Sequence, residues 1–134
     1  MPSFFALKSQ KVAGNNSFIQ NLRSDNMKTK ELVDYIIEKG GATIKNGELV
    51  EYSSGYQVAQ QSGNRSVSKK DLRKTLQQFN KKYTEFGVCY NKITELYEFD
   101  VCQRINDLVQ ALQIGKAENQ REIWDWENSV GIIV

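Results

Sequence analysis

The chain has 134 residues, 40% of them apolar and 25% charged, with a formal charge of +2. That length supports one domain, which buries roughly two-thirds of its unfolded surface and so needs no staples. The sequence holds no histidine. Imidazole acid–base chemistry, Ser–His and Cys–His nucleophile pairs and almost every zinc site are thereby removed, because two cysteines alone do not close a tetrahedral shell.

No apolar run approaches the ~20 residues of a membrane span, and the patch Met1 to Leu7 is too short for a secretory signal. The expectation is a soluble, cytoplasmic protein with no membrane contact. Cys89 and Cys102 make no disulfide framework and read as two small buried hydrophobes. Residues 1–90 hold 14 Lys+Arg against 8 Asp+Glu, while residues 91–134 hold 4 against 8. A basic part beside an acidic part suggests an anionic partner or head-to-tail self-association.

In chain order, residues 1–26 are polar with scattered Phe4, Phe5, Phe18 and Ile19, and read as an N-terminal arm ahead of a domain over 27–134. Thr29 is placed to cap a helix carrying Leu32, Val33, Ile36 and Ile37 at helical spacing, stopped by Gly40-Gly41. Asn46-Gly47 between 42–45 and 48–52 is a hairpin signal, since a type I′ turn needs positive φ at both central residues. Tyr56 to Ala59 reads as a strand and Gln60 to Ser66 as a polar loop. Ser68 with Asp71 opens a helix to about Tyr83, with Leu72, Leu76, Phe79 and Tyr83 on its inner side.

Phe86 to Tyr90 and Leu96 to Val101 read as strands, the second alternating as a half-buried strand does. Asn106 is placed to cap a helix with Leu108, Ala111, Leu112 and Gly115 on one stripe, and Asn119 to end it in a left-handed conformation. Ile123 to Trp126 and Gly131 to Val134 complete the set. Helices separated by hairpins predict an α+β fold: one domain, a mainly antiparallel sheet and about three helices on one face.

Three stretches carry recognition chemistry. The helix 68–83 bears Lys69, Lys70, Arg73 and Lys74, suited to phosphate contact with nucleic acid, although no aromatic side chain interleaves this charge. The loops around Gly55 and Gly63, ending in Tyr56 and Arg65, are small and polar, but they match neither a P-loop nor a dinucleotide fingerprint. Asn119, Gln120 and Arg121 lead into Trp124 and Trp126, joining a guanidinium fork to aromatic faces; packing needs Asn119 to Arg121 least. The acid pairs Glu95/Glu98 and Asp125/Glu127 read as solvated strand residues.

Gly55-Tyr56-Gln57-Val58, after Gly40-Gly41-Ala42-Thr43, and Asn119-Gln120-x-x-Ile123-Trp124-Asp125 resemble small α+β accessory proteins of bacteriophages and mobile elements. With the helix before each pattern the resemblance spans about half the chain. It implies a non-enzymatic counter-defence protein in the cytoplasm of the host bacterium, without cofactor or metal. Such a protein sequesters a nucleotide immune signal or inhibits a host defence effector. As a sponge it would hold ligand through Arg121, Asn119, Gln120, Tyr56, Arg65 and Trp124, and would be a homo-oligomer. The alternative is a nucleic-acid-binding module that uses the basic helix.

Overall fold

The computed structural model describes residues 28–134, so the N-terminal arm lies outside the described residues. Helix α1 spans Thr29–Lys39, β1 Gly41–Lys45, β2 Glu48–Val50, β3 Tyr56–Ala59 and β4 Arg65–Val67. A 3-10 turn, Lys69–Asp71, leads into α2, Leu72–Lys82. Then come β5 (Glu85–Asn91), β6 (Leu96–Ile105), α3 (Leu108–Ala117), β7 (Glu122–Asp125) and β8 (Val130–Ile133). The eight strands form an antiparallel sheet in the order β2-β1-β5-β6-β3-β7-β8, with β4 also paired to β6. The chain is therefore α+β, as its pattern predicts.

Local chemistry accounts for the connections. Asn46 and Gly47 sit at φ 53° and 77°, as a type I′ turn requires, and set Ile44 opposite Leu49. Gly40 ends α1 at φ 82°, and its N–H donates to the Ile36 carbonyl. Between β5 and β6 the Asn91 carboxamide accepts from the amides of Ile93 and Thr94 at 2.9 and 3.3 Å.

The helices cover one face of the sheet. Leu32 and Ile36 of α1 and Leu72, Leu76 and Phe79 of α2 pack with Ile44, Phe86, Val88 and Phe99 in the main core. Phe79 meets Phe86 and Phe99 with ring centroids 5.3 and 4.8 Å apart. Helix α3 adds a second, smaller core: Ala111 against Val58 and Ile123. A Cβ on Gly115 would stand 3.0 Å from Ile123, so glycine is what lets α3 lie this low.

Three sequence expectations are corrected. The 60–66 stretch, read as loop, contains strand β4, whose Arg65, Ser66 and Val67 pair with Phe99, Glu98 and Tyr97. Strand β6 runs to Ile105 rather than Val101, because Cys102 to Ile105 change partner from β5 to β3. The cap of α3 is Asp107, not Asn106: its carboxylate accepts from the Gln110 amide at 2.9 Å. In addition, α1 begins one residue after its cap, which is Lys28 rather than Thr29.

Candidate functional site

The change of partner along β6 builds the site. Its first half pairs with β5 as far as Val101 opposite Phe86, and its second half pairs with β3. Side chains alternate across a strand, so Cys102 and Arg104 point away from the helices, as do Gln57, Ala59 and Glu85 on neighbouring strands. On that face Trp124, Trp126, Cys89, Cys102 and Ala59 pack together, with Tyr52 against them. Both cysteines are buried thiols with no disulfide between them, as the composition suggests.

Within this apolar cluster lies a polar network. Gln57 is fully buried and Glu85 is 7% exposed. The Gln57 side-chain Nε2 donates to Glu85 Oε2 at 2.6 Å and to the Cys102 sulfur at 3.1 Å. Gln57 Oε1 accepts from the Trp126 indole at 2.9 Å, which fixes the orientation of the amide. The Tyr52 hydroxyl donates to the same Glu85 oxygen at 3.3 Å. Burial first, and then the charge and hydrogen bond of Glu85, push the Tyr52 phenol well above its usual range, so it remains a donor. The Arg104 guanidinium lies over the Tyr52 ring at 5.1 Å and donates to the Ser54 carbonyl and hydroxyl at 2.7 and 3.1 Å.

Glu85 also lines a cleft of about 560 Å³, together with Lys45, Tyr52, Tyr83, Arg104 and Glu118. This volume is that of a small-molecule site, typically ~300–1,000 Å³. Both donors converge on Oε2, and Oε1 takes no partner among the described residues. The result is a mostly buried carboxylate in the cleft wall, oriented by two donors and with one oxygen open. Cross-strand pairing sets Lys45 opposite Glu85.

The residues singled out in the sequence do not converge. Asn119 at φ 57° and Gln120 form the helix stop: their amides donate to the carbonyls of Lys116 and Gly115 at 3.1 and 2.9 Å, a Schellman arrangement. Arg121 beside them is exposed. Tyr56 packs with Val58, Ala111 and Ile123 on the helix side of β3, and Trp124, 3% exposed, is buried on the opposite side. Arg65 donates to Gln78 of α2 at 2.7 Å, away from both. Asp125 accepts from the amides of Glu127 and Asn128 at 3.0 and 3.2 Å and is taken up by its own turn.

The basic residues do gather. Lys69 and Lys70 on the 3-10 turn and Arg73 and Lys74 on the first turn of α2 are all exposed, with no ion pair to them among the described residues. Sequence reasoning missed Gln57 and Glu85. The available signal was a glutamine inside an otherwise apolar strand and a glutamate opening another. Nothing local ties the two together.

Comparison of the chain with protein-family models, with curated proteins and with solved structures finds no match in any of the three.

Proposed function

We propose that this is a non-catalytic binding protein of the counter-defence type that the phage-protein resemblance implies, and that it sequesters a nucleotide-like signal in the cleft over Glu85. One observation carries the reading: a buried carboxylate oriented by two donors, with its second oxygen open to the cleft. A base edge with adjacent N–H donors, such as guanine N1–H and its 2-amino group, satisfies a fixed carboxylate acceptor. Lys45 and Arg104 supply positive charge for a phosphate. The acceptor is worth most where water is excluded, and a ligand lacking the donors leaves it without a partner.

The test is a thermal-shift and calorimetric titration with guanosine and inosine monophosphates, their cyclic forms, and adenosine analogues. The expected result is a rise in Tm with guanine nucleotides and a weaker response to inosine, which lacks the 2-amino donor. Glu85→Gln should erase that preference. No binding by any nucleotide, or equal binding before and after Glu85→Gln, overturns the reading.

The exposed cations of the 3-10 turn and of α2, without an ion pair among the described residues, favour a second reading, contact with a polyanion such as nucleic acid. Its mark is affinity that falls steeply with salt and is lost in a Lys69, Lys70, Arg73, Lys74 quadruple alanine variant. A flat salt response removes it.

A further inference from the structure

Successive residues of a strand face opposite sides of the sheet, so a sheet covered on one face alternates buried and exposed positions. Strands β1 and β5 do not alternate: Gly41 to Ile44 and Glu85 to Cys89 are buried without a break. Ala42, Ile44, Phe86 and Val88 account for one face, under α1 and α2. Gly41, Thr43, Gly87 and Cys89 lie together on the other, where Gly41 pairs with Cys89 and Thr43 with Gly87. Thr43 is 0% and Cys89 1% exposed.

No helix among the described residues lies on that second face. The β2–β3 connection reaches it at Tyr52, whose ring meets Trp126 and whose hydroxyl meets Glu85. Cys89 is four residues further along β5 than Glu85, roughly 13 Å at the strand rise. Trp124 and Trp126 belong to β7 and its end, three strands across the sheet from β5. The buried cluster that Cys89 shares with them therefore extends further than these side chains reach. Beside Cys89 stand only a glycine, Gly41, and Glu98, which turns to accept from Asn91 at 3.0 Å.

We propose that residues 1–27 of the same chain dock on this helix-free face, over Gly41, Thr43, Gly87 and Cys89. The structure holds a single copy of the chain, and the face is buried within that copy, so its cover belongs to the chain itself. Residues 1–27 run directly into α1, which packs over β1, and they bring Phe4, Phe5, Phe18, Ile19 and Leu22. Fully extended they span roughly 90 Å, several times the way around the edge strand β2. Large side chains then fill a floor made of glycine, threonine and cysteine, and the sheet gains a layer on each face. The tether keeps the local concentration of the segment high, so a modest contact suffices to hold it. The cleft over Glu85 lies at the opposite end of β5 and stays clear.

The test uses the full chain with Cys102→Ala, which leaves Cys89 as its one thiol. Reaction of that thiol with an aromatic disulfide reagent should be about a hundredfold slower, or more, than in the urea-unfolded chain. The triple variant Phe4→Asp, Phe5→Asp, Phe18→Asp should still unfold cooperatively, while its Cys89 reacts about tenfold faster or more. Equal rates with and without the triple change overturn the proposal. So does protection that appears only as protein concentration rises, which would assign the cover to a second copy. If the triple variant fails to fold, hydrogen exchange of the unaltered chain decides. Protection of amides within residues 1–27 is expected, and exchange of all of them at the unfolded-chain rate overturns the proposal.

Discussion

Gln57 donates to Glu85 at 2.6 Å across 28 residues of chain, and this contact joins the two halves of the sheet on their helix-free side. A lone buried carboxylate is costly, and an amide beside it removes much of the cost by hydrogen bonding to the charged form. Gln57→Leu removes the donor to Glu85 and the acceptor for Trp126 together. We expect it to destabilise the fold by about 2–4 kcal/mol in denaturant unfolding. Glu85→Gln keeps an oxygen for both donors and should cost less than about 1.5 kcal/mol. Equal losses for the two variants would show that packing, and not the hydrogen bonds, governs the cluster.

Asp100 lies on the same face of β6 as Cys102 and Arg104. Burial, with help from the charge of Glu98, pushes its carboxyl from 3.8 up to about 6. It makes no hydrogen bond or ion pair among the described residues. The folded state therefore holds this proton more tightly than the unfolded chain does. Stability from this group is greatest below its unfolded value and falls as pH rises from about 4 through about 6. Asp100→Asn should thus stabilise the protein near pH 8 by on the order of 2 kcal/mol, less whatever water at the half-buried rim screens. The gain should vanish below about pH 4. Urea midpoints of the two proteins across that range measure it, and a pH-independent difference would contradict it.

Asn106 and Asp107 offer a sharper contrast between neighbours. Only Asp107 reaches an unpaired amide of the first turn, that of Gln110, at 2.9 Å. Asp107→Ala should cost about 1 kcal/mol, the usual worth of a cap, and Asn106→Ala close to nothing. Thermal melts of the two variants separate them. The reverse ranking would place the helix start one residue earlier.

Patterns closed over short distances are legible in this chain. The Asn46-Gly47 hairpin, the stripe of α2, the stripe of α1 apart from Ile37, which is exposed, the alternation along Tyr97, Phe99 and Val101, and the left-handed stop at Asn119 all follow from a few adjacent residues. Strand β4 is not, because Arg65 and Ser66 are exposed and carry no strand-like period. The extension of β6 is hidden in the same way by Gln103 and Arg104, which break the apolar alternation just where the strand changes partner. The Gln57–Glu85 network depends on that change of partner, so it is invisible until β3 and β5 are both laid against β6. At Asn119 to Arg121 the side chains look like recognition groups, while the backbone amides of Asn119 and Gln120 serve the end of a helix.

The last prediction concerns how α3 is seated. A Cβ at Gly115 would come within 3.0 Å of Ile123 and 3.2 Å of Val134. The two neighbours differ in freedom: Ile123 is fully buried, whereas Val134 is 37% exposed and can turn aside. In a helix interior, alanine gains up to about 1 kcal/mol over glycine in propensity, so Gly115→Ala should change stability little, the gain set against slight crowding of Ile123. Gly115→Val adds two methyl groups that Ile123 cannot yield to, and should destabilise by about 1–3 kcal/mol as α3 lifts from β7. Near-ultraviolet circular dichroism should stay close to wild type, because the tryptophans lie on the opposite face of the sheet. Urea unfolding of the three proteins tests the series, and a Gly115→Val variant as stable as Gly115→Ala would mean that α3 rests on the sheet more loosely than the 3.0 Å approach requires.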